Sequence, residues 1–181
     1  MRPLPEAQAD ILNAVDLLPI VAVDVDAAAG LVLAEPVVAT HDVPPFPNSA
    51  MDGYAVRFAD VREVPVDLEV REDVPAGSVP QRSVEAGTAI KIMTGATVPD
   101  GADAIVPVEL TEVPASGVVR ILQPAGAGDH VRVAGGDLAA GAEVFPAAVR
   151  LGPVHLAVLA SIGARPRVRR RPLVAIMSTG D

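Results

Sequence analysis

Proline and glycine interrupt this chain too often for any long regular element. There are 18 prolines and 15 glycines in 181 residues. Proline fixes φ and removes a backbone donor, while glycine supplies the backbone freedom that tight turns need. So many breakers would suit a disordered chain if apolar residues were scarce. Here half of the residues are hydrophobic, and they alternate between the breakers. That pattern predicts many short strands joined by tight turns. A chain of this length buries roughly two-thirds of the surface that its unfolded form exposes. It can therefore fold as one large domain or two small ones.

Charge and composition exclude several classes. The formal net charge is -9, and Lys91 is the only lysine. With three Phe, one Tyr and no Trp, the chain lacks both the basic footprint of a nucleic-acid binder and the aromatic platforms of a single-strand binder. The absence of cysteine rules out disulfides, thiolate metal sites and a cysteine nucleophile, and fits a reducing compartment. Glu6 and Asp10 stand where a signal peptide needs an apolar run, and the longest nearly apolar stretch, 153–164, is too short to span a bilayer. These features predict a soluble, cytoplasmic protein with no membrane partner.

Along the chain, Ala7, Ile11, Val15 and Leu18 mark one face of a helix over 6–18, which Pro19 ends. Residues 20–23 read as a strand, and a short turn capped near Asp26 stops at Gly30. Residues 43–47, VPPFP, mark a boundary, because they are too proline-rich for helix or central strand. Short strands are predicted at 54–57, 66–71, 88–93, 104–110 and 118–122, as in a small β-barrel or sandwich. After Phe145 the pattern changes. Pro153 and Gly163 bracket a helix, the five arginines of 165–171 read as a solvated linker, and 172–177 reads as a buried strand that would open an α/β domain. Nine residues cannot complete such a domain, so the chain is expected to stop short of it. The fold expected is mainly β with short helices (α+β): a discontinuous linker domain, an inserted β-barrel-like domain, and the first strand of a truncated α/β domain.

Three segments could carry chemistry. In 45–56, PFPNSAMDGYAV, a rigid polyproline entry leads to Asn48, Ser49, Asp52 and Gly53. Asp52 stands just before a strand, where a carboxylate can project into a cleft; an Asp-Gly turn is the plain alternative. In 90–109, Thr94 offers a hydroxyl and Gly95 an unobstructed amide, which suit an anionic oxygen; a long hairpin accounts for the same residues. In 130–141, Arg132 has the planar fork that matches phosphate, with Asp137 after Gly135-Gly136; a plain turn fits these as well. His41, His130 and His155 show no metal-ligand spacing.

Together these segments resemble the N-terminal part of the molybdopterin molybdenumtransferases, the bacterial MoeA type, related to the E domain of gephyrin. The family's P-x-F-x-N-S-A-M-D-G-Y-A is matched at 44–55, and its M-T-G-A-x-x-P-x-G-A-D-A-[IV]-V-P-x-E at 93–109. The family's third loop, R-x-x-G-E-D, stands here as Arg132 to Asp137 without the acidic residue before Asp137. The resemblance implies a linker domain over 1–43 and 146–171, a β-rich domain over 44–145, and the first strand of the pterin-binding α/β domain over 172–181. It implies insertion of molybdate into adenylated molybdopterin with release of AMP, assisted by magnesium, in a homodimer whose clefts lie between subunits. Carried over by motif, Asp52, Thr94 and Asp137 are the catalytic candidates, Asn48, Ser49 and Arg132 the substrate-binding ones, and Asp52 with Asp137 the magnesium ligands. The resemblance places the molybdate-binding domain outside this stretch, which by itself is expected to be inactive. A non-catalytic dimerisation scaffold, or a degenerate homologue of the same fold, is the alternative.

Overall fold

The structure is a computed structural model and describes residues 3–180. Two helices and thirteen short strands follow one another: α1 (Leu4–Asn13), β1 (Ile20–Ala22), β2 (Val32–Leu33), β3 (Val37–Val38), β4 (Asn48–Ser49), β5 (Gly53–Val56), β6 (Val66–Val74), β7 (Thr88–Ile92), β8 (Ala104–Pro107), β9 (Thr111–Ala115), β10 (Val118–Ile121), β11 (Val131–Arg132), β12 (Glu143–Phe145), α2 (Pro153–Ser161) and β13 (Arg167–Arg169). The chain is mainly β, as the breaker pattern predicts. It divides into two compact units, one formed by residues up to Thr40 with those from Gly141 onward, the other by His41–Ala140.

The central unit is built on a six-stranded sheet of order β8-β5-β7-β6-β10-β9. β8 and β9 are its two edges, so it curls as a half-barrel and does not close. Strand β5 lies in antiparallel register with β7 on one side and β8 on the other. The second motif, which runs from β7 to β8, is therefore not the long hairpin that its sequence suggests: β5 is inserted between its two arms. The expected strand over 104–110 also ends early, at Pro107, and residues 108–110 turn as a 3-10 helix.

Both faces of this sheet are covered, which explains why all four residues of β5 are buried. Side chains alternate between faces along a strand. Tyr54, Val56, Ala104 and Val106 enter one core with Leu68, Val119 and Ile121. Ala55, Ile90, Ile92 and Ile105 enter a second core with Val74 and Ala96, against which Val131 packs. Strand β6 serves both cores. Its parallel pairing with β7 shifts by one residue between Val70 and Asp73, and such a bulge reverses which face the following residues meet. Leu68 thus points to the first core and Val74 to the second. Ala96 and Val131 come from the second and third motif segments, so those loops form part of the cover of the second core.

The other unit holds a three-stranded sheet of order β1-β13-β2 and a β12/β3 pair. Here the arginine-rich segment departs from its linker reading. Residues 167–169 are the middle strand, paired with β1 and β2. Val168 is fully buried while the flanking arginines turn outward, Arg167 to Glu35 at 3.2 Å and Arg169 to the carbonyl of Leu18 at 3.0 Å. One apolar residue amid the charges is enough to seat a three-residue strand. Helix α2 begins with Pro153 and is followed by Gly163 at φ 62°, as expected, and buries Leu159. Helix α1 stops at Asn13, short of Pro19, and buries none of its residues. Residues 172–180 form no strand, and Leu173 and Ile176 are almost fully exposed. A strand needs a neighbour for its backbone donors and acceptors, and none of the described residues pairs with this segment.

Candidate active site

Among side chains, the first motif meets the second at the Asp52 carboxylate. Asp52 Oδ1 accepts the backbone N–H of Thr94 at 2.7 Å and the Thr94 hydroxyl at 2.6 Å. These two hydrogen bonds, the side-chain one foremost, hold the Asp52 carboxyl below its ordinary pKa, because both favour the ionised form. Asp52 and Thr94 are exposed. Only Oδ1 is engaged, which leaves Oδ2 open to solvent on a side chain whose orientation is set. Thr94 directs its proton at Asp52, so in this arrangement its first task is to position the carboxylate and not to donate to an oxyanion.

Local chain geometry places the pair. Asp52 precedes β5, and its carbonyl accepts the N–H of Val108 at 3.0 Å. Gly53 follows, and here the absence of a side chain is required: a Cβ would stand 2.1 Å from the carbonyl oxygen of Val106 on β8. A glycine inside a strand is the signal for such an approach. On the other arm, the turn that carries Thr94 is closed by Ala96 N–H to the Met93 carbonyl at 3.0 Å, with Gly95 at φ 81°.

Asn48 and Ser49 lie beneath this turn and do not face solvent. Ser49 is fully buried, and its hydroxyl donates to the Met51 carbonyl at 2.5 Å. Its backbone bonds the second motif on both sides, Ser49 N–H to the Ala96 carbonyl at 3.0 Å and Gly95 N–H to the Ser49 carbonyl at 2.8 Å. Asn48 is 6% exposed, and its Nδ2 donates to the Phe46 carbonyl. Strand β4, made of these two residues, pairs with β11 of the third segment, Asn48 opposite Arg132 and Ser49 opposite Val131. The three motif segments thus converge on residues 47–52.

The third segment divides. Arg132 is exposed beside β4. Asp137 is exposed too, on a loop held to the start of the first motif by Asp137 N–H to the Val43 carbonyl at 2.9 Å and Gly135 N–H to the Pro44 carbonyl at 2.9 Å. Asp42 closes that loop by accepting Ala140 N–H at 2.7 Å. One contributor carries no motif signal: His130, at the left-handed φ of 56°, uses its carbonyl to accept Ala50 N–H at 2.8 Å. Nothing in its residue type announces that task, which belongs to the backbone.

Magnesium, the cation that the resemblance implies, usually rests on one or two carboxylates together with water and substrate phosphates. Among the described residues there is no group of three or more His, Cys, Asp or Glu side chains placed to hold a metal. The open, ionised oxygen of Asp52 fits the sparse mode and does not make a cage. No helix among the described residues is long and apolar enough to cross a membrane.

Known proteins resemble this chain in sequence and in fold. A family model described as the MoeA N-terminal region (domain I and II) matches residues 2–163. The molybdopterin molybdenumtransferase of Nostoc sp. is 43% identical over 164 residues, which are 88% of this chain and 37% of that protein. Molybdopterin molybdenumtransferase 2 of Mycobacterium tuberculosis is 42% identical over 188 aligned residues, covering all of this chain and 46% of that protein. The crystal structure of the molybdopterin biosynthesis moeA protein from Pyrococcus horikoshii OT3 superposes with a TM-score of 0.86 at 32% identity, over 95% of this chain and 47% of that one. The chain therefore spans less than half the length of these relatives. With a family model matched over most of its length and relatives above 40% identity, the chain belongs to the MoeA N-terminal family.

Proposed function

We propose that the protein to which these residues belong inserts molybdate into adenylated molybdopterin and releases AMP, with Asp52 as the acidic centre on this chain's side of the site. It would work in the cytoplasm as a homodimer, its cleft completed by an α/β domain of the second subunit. The observation that carries this reading is the Asp52 carboxylate, ionised and fixed by Thr94 with one oxygen free. A carboxylate beside a phosphate is repulsive unless a cation or a proton stands between them. Magnesium, held by Asp52 and Asp137, would supply that charge when bound. Where no cation sits on it, Asp52 Oδ2 accepts a hydrogen bond from the water that cleaves the adenylate and so orients it. Arg132 contacts a phosphate oxygen. Asn48 and Ser49 serve by holding the turn that carries Asp52, and Thr94 by fixing its carboxylate.

The test is Asp52→Ala in the full-length protein. AMP release is expected to fall by about a hundredfold or more, the scale of a lost catalytic carboxylate, with the protein still folded and its thermal midpoint lowered only by the loss of the two Thr94 hydrogen bonds. Normal turnover by the variant would overturn the assignment. The 181-residue chain by itself is expected to release no AMP from the same substrates.

A further inference from the structure

A cavity lies in the unit that contains α2 and β13. Its volume is about 530 Å³, within the range of small-molecule sites, and Leu17, Leu18, Gly30, Leu31, Arg170 and Arg171 are among its lining residues. The walls are largely apolar, and basic residues outnumber acidic ones at the rim. A protein with a net charge of -9 gathers Arg169, Arg170 and Arg171 here against one lining acid, Asp16.

Two guanidinium groups converge above Gly30. Arg171 Nη2 lies 3.8 Å and Arg150 Nη2 3.9 Å from the point where a Cβ on Gly30 would stand. Gly30 is at φ 72°, so the residue that keeps this space open is also one whose backbone disfavours a side chain. Arg150 is held in place by a β-bridge to Val32. Arg171 is anchored through one donor to the Ala29 carbonyl at 2.7 Å, which leaves the rest of its fork free. The ion pairs of this unit's other arginines, Arg165 with Asp24 and Arg167 with Glu35, lie elsewhere, and neither Arg150 nor Arg171 pairs with a carboxylate among the described residues. Like charges drawn together without a counter-charge repel, and an anion between them removes the repulsion. The Gly30 N–H cannot serve the anion, because it donates to the Leu151 carbonyl at 2.8 Å. The guanidinium forks are left as the recognition groups, and they match phosphate or carboxylate geometry.

We propose that this cavity binds a small amphipathic anion: a phosphate or carboxylate group at its Gly30 rim, between Arg171, which lines the cavity, and Arg150, which stands beside that rim outside the lining, with an apolar body against Leu17, Leu18 and Leu31. The site is distinct from the Asp52 pair and does not depend on its assignment. An apolar wall without the charge would select nothing, and the charge without the wall would bind any anion; the two together specify the class.

The test uses hexyl phosphate and inorganic phosphate as probes, titrated into the full chain and followed by amide chemical shifts. Hexyl phosphate is expected to shift Gly30, Leu31 and Val32 in a saturable manner, and to bind at least tenfold more tightly than inorganic phosphate. Arg150→Gln, which loses no side-chain hydrogen bond made within the described residues, is expected to weaken hexyl phosphate at least tenfold while leaving the rest of the spectrum in place. Arg82→Gln, a surface arginine of the other unit, is expected to leave it unchanged. Equal affinity for the two probes, shifts confined to other residues, or an unchanged affinity in Arg150→Gln would overturn the proposal.

Discussion

At the scale of single residues, the candidate site depends on one oxygen atom and one missing carbon. Asp52 Oδ1 receives both donors of Thr94, so Thr94→Val removes the larger cause of the lowered carboxyl pKa and keeps the backbone one. The Asp52 pKa is expected to move up towards the ordinary aspartate value, read by carboxyl-carbon NMR over an acid titration; an unmoved value would refute the coupling. Linkage sets the sign for stability. A carboxyl whose pKa is lowered by folding contributes above its unfolded pKa, near 4, and loses that contribution as pH falls through the folded value. The variant should therefore show a shallower loss of stability on acidification below about pH 4. Gly53 is the missing carbon. Its replacement by Ala sets a methyl group 2.1 Å from the Val106 carbonyl oxygen, and β5 and β8 must separate. A destabilisation of about 1–3 kcal/mol is expected, measurable by denaturant unfolding, and a neutral outcome would mean that the two strands are not held this closely. The Asp-Gly pair is plain in the sequence. What it does not disclose is that its first residue bonds a threonine forty-two positions away and its second faces a carbonyl on another strand.

Among elements, the contrast is between strands that declare themselves and strands that depend on neighbours. β5, β7 and β10 are legible because their apolar runs are bounded by turn residues. α2 is legible because Pro153 and Gly163 punctuate both ends. β13 is not, since Arg167, Val168 and Arg169 offer only one apolar side chain; it exists because β1 and β2 lie on either side to bond its backbone. Its weight can be measured. Val168→Ala trims a fully buried side chain in the middle of a three-stranded sheet, and a loss of about 1–3 kcal/mol is expected. If β13 were a solvated linker, the same change would have no effect on unfolding. The stretch 172–177 is the converse case, with strand composition and no partner strand. α1 shows the limit of periodicity: the apolar stripe is present, yet the helix ends at Asn13 and leaves Ile11 and Leu12 exposed.

On the scale of the whole molecule, residues 41–140 contain both cores of the six-stranded sheet and the three motif segments up to Ala140. Their two ends are tied together by Val43 N–H to the Leu138 carbonyl at 2.8 Å and Ala140 N–H to Asp42. Excised as a separate chain, residues 41–140 are expected to fold, with dispersed amide resonances and a single cooperative unfolding transition; a collapsed, non-cooperative product would show that the unit needs the rest of the chain. The sequence by itself determined the dominance of short strands, because proline and glycine act locally wherever they occur. It also determined the family, because long motifs keep their residue order whatever their surroundings. Only the tertiary structure decided that β5 separates the arms of the second motif, that β6 changes face at a bulge, that Asn48 and Ser49 lie beneath the site while Asp52 stands open, and that Thr94 fixes Asp52. Each of these is a contact between residues remote in the chain, and its existence depends on which strand lies beside which.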